Sequence, residues 1–182
     1  MSVLVEIDPL EQIVKHIPET RGLLWEKIIK LEEQVLSIKG ALHHKAGDSQ
    51  SEEMQKTYPL KQHLEGGLYT RELFMPKGSL VISMIHKQQH PSFLLKGELS
   101  YLTDDGKIVR IKAPHRIFTQ IGTQRVLYMH EDCEWCCVYK TDAKTFEEAE
   151  ADVYTNDYRE LPKELIEKNK KLCQELQQQL SE

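Results

Sequence analysis

The fold class is decided by the stretch Pro76–Gly97, which reads PKGSLVISMIHKQQHPSFLLKG. A strand-like apolar run leads to His86, a short polar turn follows, and His90 opens a second apolar run that ends at Gly97. Two imidazoles on neighbouring short strands are what a small β-barrel needs to hold a metal ion at its mouth. The stretch therefore predicts a barrel and suggests a metal site as the first functional hypothesis.

The composition argues against several functional classes. The 182 residues carry 24 basic and 29 acidic side chains, a formal net charge of −5, and no RNP-like or zinc-finger spacing. No apolar run approaches the ~18–20 residues of a membrane span. The segment Met1–Asp8 lacks the basic and apolar regions of a signal peptide. We expect no nucleic-acid partner, no membrane association and no secretion through a signal peptide.

The four cysteines fit a reducing compartment, in which they are thiols. Cys133 and Cys136 form a C-x-x-C pattern next to Cys137, and Cys173 stands alone. Residues three apart on a strand point to opposite faces, whereas a redox pair is usually found at a helix N-terminus. Buried or half-buried thiols are the prediction, with a redox or metal role as the alternative.

Residues 1–45 are predicted to be helical and to resemble a coiled coil. Asp8 is placed as an N-cap, and Pro18 and Gly22 divide the segment into a short and a longer helix. The longer helix has apolar residues at alternating spacings of four and three, the seam of a coiled coil: Leu24, Ile28, Leu31, Val35, Ile38 and Leu42. Such a seam packs either on the chain's own barrel or on another subunit, and we favour the second.

The rest of the chain divides into three parts. Residues 46–57 form a polar linker, preceded by His43 and His44, which are expected to be exposed to solvent. Residues 58–145 alternate apolar runs with turn residues every 8–12 positions, which predicts short antiparallel strands, with a hairpin turn at Thr103–Gly106. Residues 146–182 are an acidic connector followed by a C-terminal amphipathic helix.

Four motifs follow one another within the β segment. They read TYPLKQHLEGGLYTRELFMPKG, IHKQQH, KGELSYLTDDG and IGTQRVLYMHEDCEW. In this order and spacing they resemble the small cupin-like proteins common in tailed-bacteriophage genomes, over about residues 53–158. The resemblance implies a mainly β fold, a cupin-type double-stranded β-helix (jelly roll), with an N-terminal helical segment and a C-terminal helix.

The resemblance also implies which positions would hold a metal. His86 falls at the second histidine of the first cupin motif and His90 at its glutamate, while Met84 takes the place of the first histidine. Arg125 stands where the second motif usually has a histidine. Phage-type members tend to read H-K-x-E-H and W-x-x-x-H, and here Gln89 and Tyr139 replace the glutamate and the last histidine.

The metal hypothesis therefore rests on His86 and His90, joined by Tyr139 or Gln89, or by His130 or a cysteine, around a divalent ion such as Zn, Fe, Mn or Ni. In the alternative, both imidazoles fill the barrel mouth and hydrogen-bond to their neighbours. Arg71 and Arg125 are either ligands for an anion inside the barrel or ion-paired structural arginines.

We expect a non-catalytic protein with a degenerate metal site. In line with the resemblance, it would be a phage accessory or virion structural protein, located in the host cytoplasm or the virion. It would associate with itself or with other phage structural proteins through the apolar seam of residues 24–38. The alternatives are a metal-dependent cupin enzyme, an oxygenase or isomerase, and a cupin that binds a small anionic ligand. No catalytic residue is assigned.

Overall fold

The structure, a computed structural model, describes residues 8–15, 24–46, 48, 50–103 and 106–167. The helices are α1 Pro9–Lys15, α2 Leu24–Leu36, α3 Glu52–Thr57 and α4 Phe146–Val153, and a 3₁₀ turn spans Tyr158–Glu160. The strands are β1 Leu60–Glu65, β2 Leu68–Met75, β3 Leu80–Ile82, β4 Ile85–His86, β5 His90–Lys96, β6 Glu98–Leu102, β7 Ile108–Lys112, β8 His115–Thr119, β9 Val126–Met129, β10 Cys133–Lys140 and β11 Tyr154–Thr155.

Some sequence predictions concern residues outside these ranges. They are the helix break at Pro18 and Gly22, the centre of the Thr103–Gly106 turn, Cys173, and the apolar stripe of the last helix beyond Glu167. Residues 163–167 are helical, so the described part contains the start of that helix. None of the helices in the described ranges is long and apolar enough to cross a membrane.

Two antiparallel sheets build the barrel. One has the order β1-β2-β10-β5-β8 and the other β3-β9-β6-β7. The pairs β2–β10, β3–β9, β5–β8 and β6–β7 are nested: the first of these eight strands pairs with the last, and so on inwards to the central hairpin. Nested pairing of eight strands in two sheets is the topology of a jelly roll of the cupin type. The predicted fold class is confirmed.

The central hairpin forms where the turn residues predict it. Strands β6 and β7 pair from Glu98–Lys112 to Leu102–Ile108. The backbone N–H of Thr103 donates to the carbonyl of Lys107 at 2.8 Å and closes the turn. The turn residues therefore specify both the existence of this hairpin and its register.

Gly97 allows β5 to turn sharply into β6. Its φ is +86°, in the left-handed region that favours glycine. A Cβ at this position would lie 2.3 Å from the carbonyl oxygen of Asp132 and 2.8 Å from Sγ of Cys133. Because both contacts are far too short, the start of β10 packs directly on the backbone here and only glycine fits.

The thiols of strand β10 are buried, as predicted. Cys133, Cys136 and Cys137 are free and buried, and Cys133 and Cys137 lie in the core cluster with Trp135, which is 7% exposed. Burial raises the pKa of the Cys133 and Cys136 thiols to about 11. Both are therefore protonated at neutral pH, the state of a packing residue rather than of a reactive thiolate.

Helix α2 packs its apolar face on the chain's own barrel. Ile28 and Leu31 are 2% and 4% exposed and lie in one cluster with Leu10, Leu102 and Val126. The exposed apolar side chains of this region belong to a different face: Ile29 at 38%, Leu36 at 41% and Ile38 at 63%. Association with a partner through the helix stays a prediction.

The predicted seam extends beyond the helix itself. Helix α2 ends at Leu36, so Ile38 and Leu42 lie past its end, and the expected helix through Leu42 is wrong. The Ser37 hydroxyl donates to the carbonyl of Gln34 at 2.7 Å, and Gly40 has a φ of +90°. Both features end a helix, because a serine competes for backbone carbonyls and a left-handed glycine turns the chain away.

Candidate functional site

The two histidines of the opening stretch lie inside the barrel. His86 ends β4 and His90 begins β5; they are 4% and 1% exposed, and their ring centroids are 4.7 Å apart. The turn of the second motif holds β4 in place, because His86 N–H donates to the carbonyl of Thr123 at 3.0 Å and Gly122 N–H donates to that of His86 at 2.8 Å. The structure thus brings the two motifs together.

His90 has one satisfied ring nitrogen and one without a partner. Its Nδ1 lies 3.0 Å from the carbonyl of Gln88, which only accepts, so Nδ1 carries the proton. Its Nε2 is buried and has no hydrogen-bond partner among the described residues. Burial lowers the pKa of His90 to about 4, assisted by the charge of Arg125 and opposed by the hydrogen bond to Gln88. The ring is therefore neutral at pH 7.

His86 is the first member of a hydrogen-bonded chain. The Tyr139 hydroxyl donates to the Tyr154 hydroxyl at 2.6 Å and thereby uses its one proton. The contact of 3.1 Å between His86 Nδ1 and the Tyr139 oxygen therefore has the imidazole as donor. Burial first, and then electrostatic interaction with His90, Arg125 and Arg71, holds the pKa of His86 well below 6.5. His86 is neutral, with its lone pair on Nε2.

Glu150 of α4 collects four polar side chains inside the barrel. It is 3% exposed, and its Oε1 accepts from Arg71 Nε at 3.2 Å, from Gln62 Nε2 at 3.0 Å and from the Tyr69 hydroxyl at 3.4 Å. Its Oε2 accepts from His44 Nε2 at 3.2 Å. Burial would raise the pKa of Glu150, but His44 and Arg71 outweigh it and hold that pKa below its ordinary value. The carboxylate is ionised.

Two sequence expectations change at Glu150. His44 was expected to be exposed, yet only 10% of its side chain is exposed. The segment after α2 folds back over the barrel, where the buried carboxylate of Glu150 accepts a hydrogen bond from its ring. Arg71 is ion-paired through Nε and still faces inward, with its guanidinium carbon 5.3 Å from the ring centroid of Tyr154. The two readings of Arg71 are therefore compatible.

Arg125 is the second guanidinium of the interior. It is 6% exposed, its Nη2 donates to Thr119 Oγ1 at 3.0 Å, and its guanidinium carbon lies 5.0 Å from the ring centroid of Tyr101. The carboxylate of Glu98, on the neighbouring strand β6, is paired with Arg110 and Lys112.

A cavity of about 400 Å³ connects these groups with the protein surface. At the end inside the barrel it is lined by Arg71, His86, Arg125 and Tyr154. Its walls are mostly apolar: Leu73, Met75, Val81, Met84, Leu127 and Trp135. Exposed residues from the end of α2, the following segment and α3 form its mouth, among them Leu36, Gly40, His43 and Glu53. The cavity is apolar with one polar end.

The described side chains do not fit a divalent metal ion. No group of three or more His, Cys, Asp or Glu side chains in the described ranges is placed to hold one. Tyr139 lies next to His86, but burial raises its pKa well above 10, so the phenol keeps its proton. Gln89 is exposed on the turn between β4 and β5 and does not join the histidines. The charges of Arg71 and Arg125 next to His86 oppose a cation further.

The other proposed metal ligands are also engaged elsewhere. Cys137 accepts a hydrogen bond from Trp135 Nε1 at 3.2 Å. His130 belongs to a separate network, in which its Nε2 lies 2.8 Å from Ser100 Oγ and 3.2 Å from Asp8 Oδ2. The structure therefore brings together His86, His90, Tyr139, Arg71 and Arg125 of the predicted site, and none of the described residues joins the two histidines as a third metal ligand.

Glu150 and Tyr154 are site residues that the sequence did not suggest. Both come from the acidic connector, which returns to the barrel as α4 and β11, where Tyr154 pairs with His86. The one local signal is that Ala149, Val153 and Tyr154 interrupt a stretch of acidic residues with apolar ones. That pattern marks a buried face but does not tell which interior group it meets.

Comparison with known proteins gives a likeness of backbone only. Neither a protein-family model nor the sequence of a curated protein matches the chain. An RmlC-like cupin from Methanocaldococcus jannaschii aligns with a TM-score of 0.41 and 12% identity, over 47% of this chain and 82% of that one. Ectoine synthase from P. lautus aligns with 0.42 and 12%, over 59% and 73%. A cupin 2 domain-containing protein from Halorhodospira halophila gives 0.43 and 10%, over 58% and 74%. None of them indicates a bacteriophage origin.

Proposed function

We propose that the barrel binds a small carboxylate with an apolar body, as a binding protein rather than an enzyme. The observation that carries this proposal is the guanidinium of Arg71 at the inner end of the cavity. It is bound to Glu150 through Nε, and the hydrogen bonds of the described residues do not use its Nη groups. Arg125 and the neutral His86 line the same end.

A bound carboxylate would accept from these unused donors. A hydrogen bond between charged groups in a largely buried place is stronger than the same bond at the surface. The Nη groups of Arg71 have no hydrogen-bond partner among the described residues, and a guanidinium fork matches the two oxygens of a carboxylate. A single carboxylate meets both the charge and the geometry.

The walls of the cavity determine the rest of the ligand. Ligand pockets enclose roughly 300–1,000 Å³ and are mostly apolar with a few polar groups. The cavity has about 400 Å³, and aliphatic side chains and Trp135 form much of its wall beyond the polar end. A carboxylate with a medium-length apolar chain therefore fits better than a sugar or a polyanion.

Calorimetric titration of the purified chain with octanoate, octanol and octylamine tests this proposal. We expect octanoate to bind, and the neutral and cationic analogues to bind at least about tenfold more weakly, because only the anion can accept charged hydrogen bonds from a guanidinium group. Arg125→Met should weaken octanoate binding by roughly 10- to 100-fold. Arg116→Met, which removes an exposed arginine of β8, is the matched control. Equal affinity for octanol and octanoate would refute the proposal.

Assembly through the terminal helices, as a phage accessory or virion protein in the host cytoplasm or the virion, stays a second candidate. Its support is the exposed apolar set of Ile29, Leu36 and Ile38. The predicted contacts Ile28 and Leu31 are buried inside the chain, so a partner would use the exposed set. Ile38→Asp should then shift the sedimentation of the purified protein, with Lys39→Asp as control. If the wild-type protein is oligomeric and Ile38→Asp sediments at the same rate, this surface is excluded as the interface.

A further inference from the structure

The hydrogen bonds between His86 and Tyr154 have a direction. His86 Nδ1 donates to the Tyr139 oxygen, and Tyr139 donates to the Tyr154 oxygen. The Tyr154 hydroxyl accepts this hydrogen bond, so its own proton remains available. No other hydrogen bond of the described residues involves the Tyr154 hydroxyl. Two groups are left at the ends of the chain: a lone pair on His86 Nε2 and an O–H donor on Tyr154.

Both ends of this chain line the cavity. His86 and Tyr154 contribute to its wall next to Arg71 and Arg125, whereas Tyr139, in the middle, does not. The inner end therefore offers guanidinium and phenol donors together with one acceptor, the imidazole nitrogen. A simple carboxylate has only acceptor oxygens and would leave that acceptor without a donor.

From this pattern we infer that the ligand is a 2-hydroxy acid, whose carboxylate takes the donors while its hydroxyl donates to His86 Nε2. The inference rests on the proposed function and narrows its ligand class. A hydroxyl on the carbon next to the carboxylate presents a donor close to two acceptors, and His86 lines the same cavity as the two guanidinium groups.

The test measures the affinities of three acids for the unmodified full chain by calorimetry. The acids are octanoate, 2-hydroxyoctanoate, with its two enantiomers titrated separately, and 2-methoxyoctanoate. One enantiomer of the hydroxy acid should bind roughly tenfold more tightly than octanoate, the gain of one additional hydrogen bond, to His86 Nε2. The methoxy acid keeps the oxygen but lacks the proton, so it should bind no better than octanoate. Equal binding of all three acids overturns the inference and leaves the proposed function standing, whereas no binding of any acid removes both.

A variant then assigns the preference to His86. His86→Phe keeps a ring of similar size without nitrogen, so the tenfold preference should disappear while octanoate still binds; Gln89→Ala, on the adjacent exposed turn, is the matched control. A preference that survives in His86→Phe overturns the role of His86. Nitrogen NMR of the histidine rings gives a second readout on the wild-type chain. The hydroxy acid, and not octanoate, should move the His86 Nε2 resonance toward that of a hydrogen-bonded acceptor, and an unchanged resonance contradicts the inference.

Discussion

Two histidines of this chain, His86 and His130, lie in small polar networks. The two networks differ in whether they leave hydrogen-bonding groups unused. In the barrel network, made of His86, Tyr139 and Tyr154, one imidazole nitrogen and one phenol proton are left over, and both face a cavity. In the helix-pinning network, made of Asp8, Ser100 and His130, the groups bind one another and the end of a helix. Unused hydrogen-bonding capacity next to a cavity, rather than residue type, distinguishes a candidate site from a structural contact.

The helix-pinning network has the residue types of a hydrolytic triad without its geometry. In a triad, one histidine nitrogen contacts the serine and the other contacts the aspartate. Here His130 Nε2 contacts both Ser100 Oγ and Asp8 Oδ2, and the serine hydroxyl itself donates to Asp8. Asp8 also accepts from the backbone N–H of Leu10 at 2.8 Å and so caps α1. The network attaches α1 to the barrel and does not activate Ser100.

The largest expected effect comes from the carboxylate that supports the barrel network. Glu150→Gln leaves Arg71 without its counter-charge, and breaking a buried ion pair on one side costs about 3 kcal/mol or more in the free energy of unfolding. Urea unfolding measures the loss. Glu147→Gln, on the exposed side of the same helix, should stay within about 0.5 kcal/mol of wild type. Equal stabilities of the two variants would mean that Glu150 does not hold the interior together.

A smaller effect is expected when the helix-pinning network is broken. Asp8→Ala removes the cap of α1 and leaves Ser100 and His130 without their acceptor, which should cost about 2 kcal/mol of unfolding free energy. The affinity for octanoate should not change, because none of these residues lines the cavity. Glu11→Ala, exposed on α1, is the control. A loss of ligand affinity in Asp8→Ala would show that the two networks are coupled.

The barrel itself was predictable because jelly-roll strands are marked locally. Turn residues recur every 8–12 positions, and the motifs place His86, His90 and Arg125 on strands or turns that meet in space. The period of α2 likewise predicts that Ile28 and Leu31 are buried. The spacing of apolar residues does not reveal what their face packs against, so the sequence could not tell whether α2 packs on the barrel or on another subunit.

The supporting half of the site could not be read from the sequence. The contact between Arg71 and Glu150 joins a strand at the start of the barrel to a helix after its end. It depends on the connector returning as β11 to pair with β4, and no local spacing encodes that path. For the same reason Tyr154, which ends the hydrogen-bonded chain, had no signal beyond a few apolar residues in an acidic stretch.

The two buried histidines, His86 and His90, should also make stability depend on pH. The pKa of His90 falls from 6.5 to about 4 on folding, and that of His86 falls as well. The unfolded chain therefore binds more protons below about pH 6.5, so this stability is complete above that pH and is lost as the pH falls. Between about pH 6 and pH 5, His90→Phe should remove roughly 1 kcal/mol of the pH-dependent change in unfolding free energy. His115→Phe controls for the loss of an exposed imidazole, and an unaltered pH slope in His90→Phe would contradict the burial argument.

The smallest effect on stability, and the most specific one, is expected for Tyr154→Phe. Without the Tyr154 oxygen, the Tyr139 hydroxyl can turn and donate to His86 Nδ1, so the imidazole proton moves to Nε2. Because the network satisfies itself again, the unfolding free energy should fall by no more than about 1 kcal/mol. The lone pair facing the cavity becomes a donor, however, and the preference for 2-hydroxyoctanoate over octanoate should vanish. Nitrogen NMR distinguishes the two tautomers directly. If His86 keeps its proton on Nδ1 in the variant, the direction assigned to the hydrogen-bonded chain is wrong.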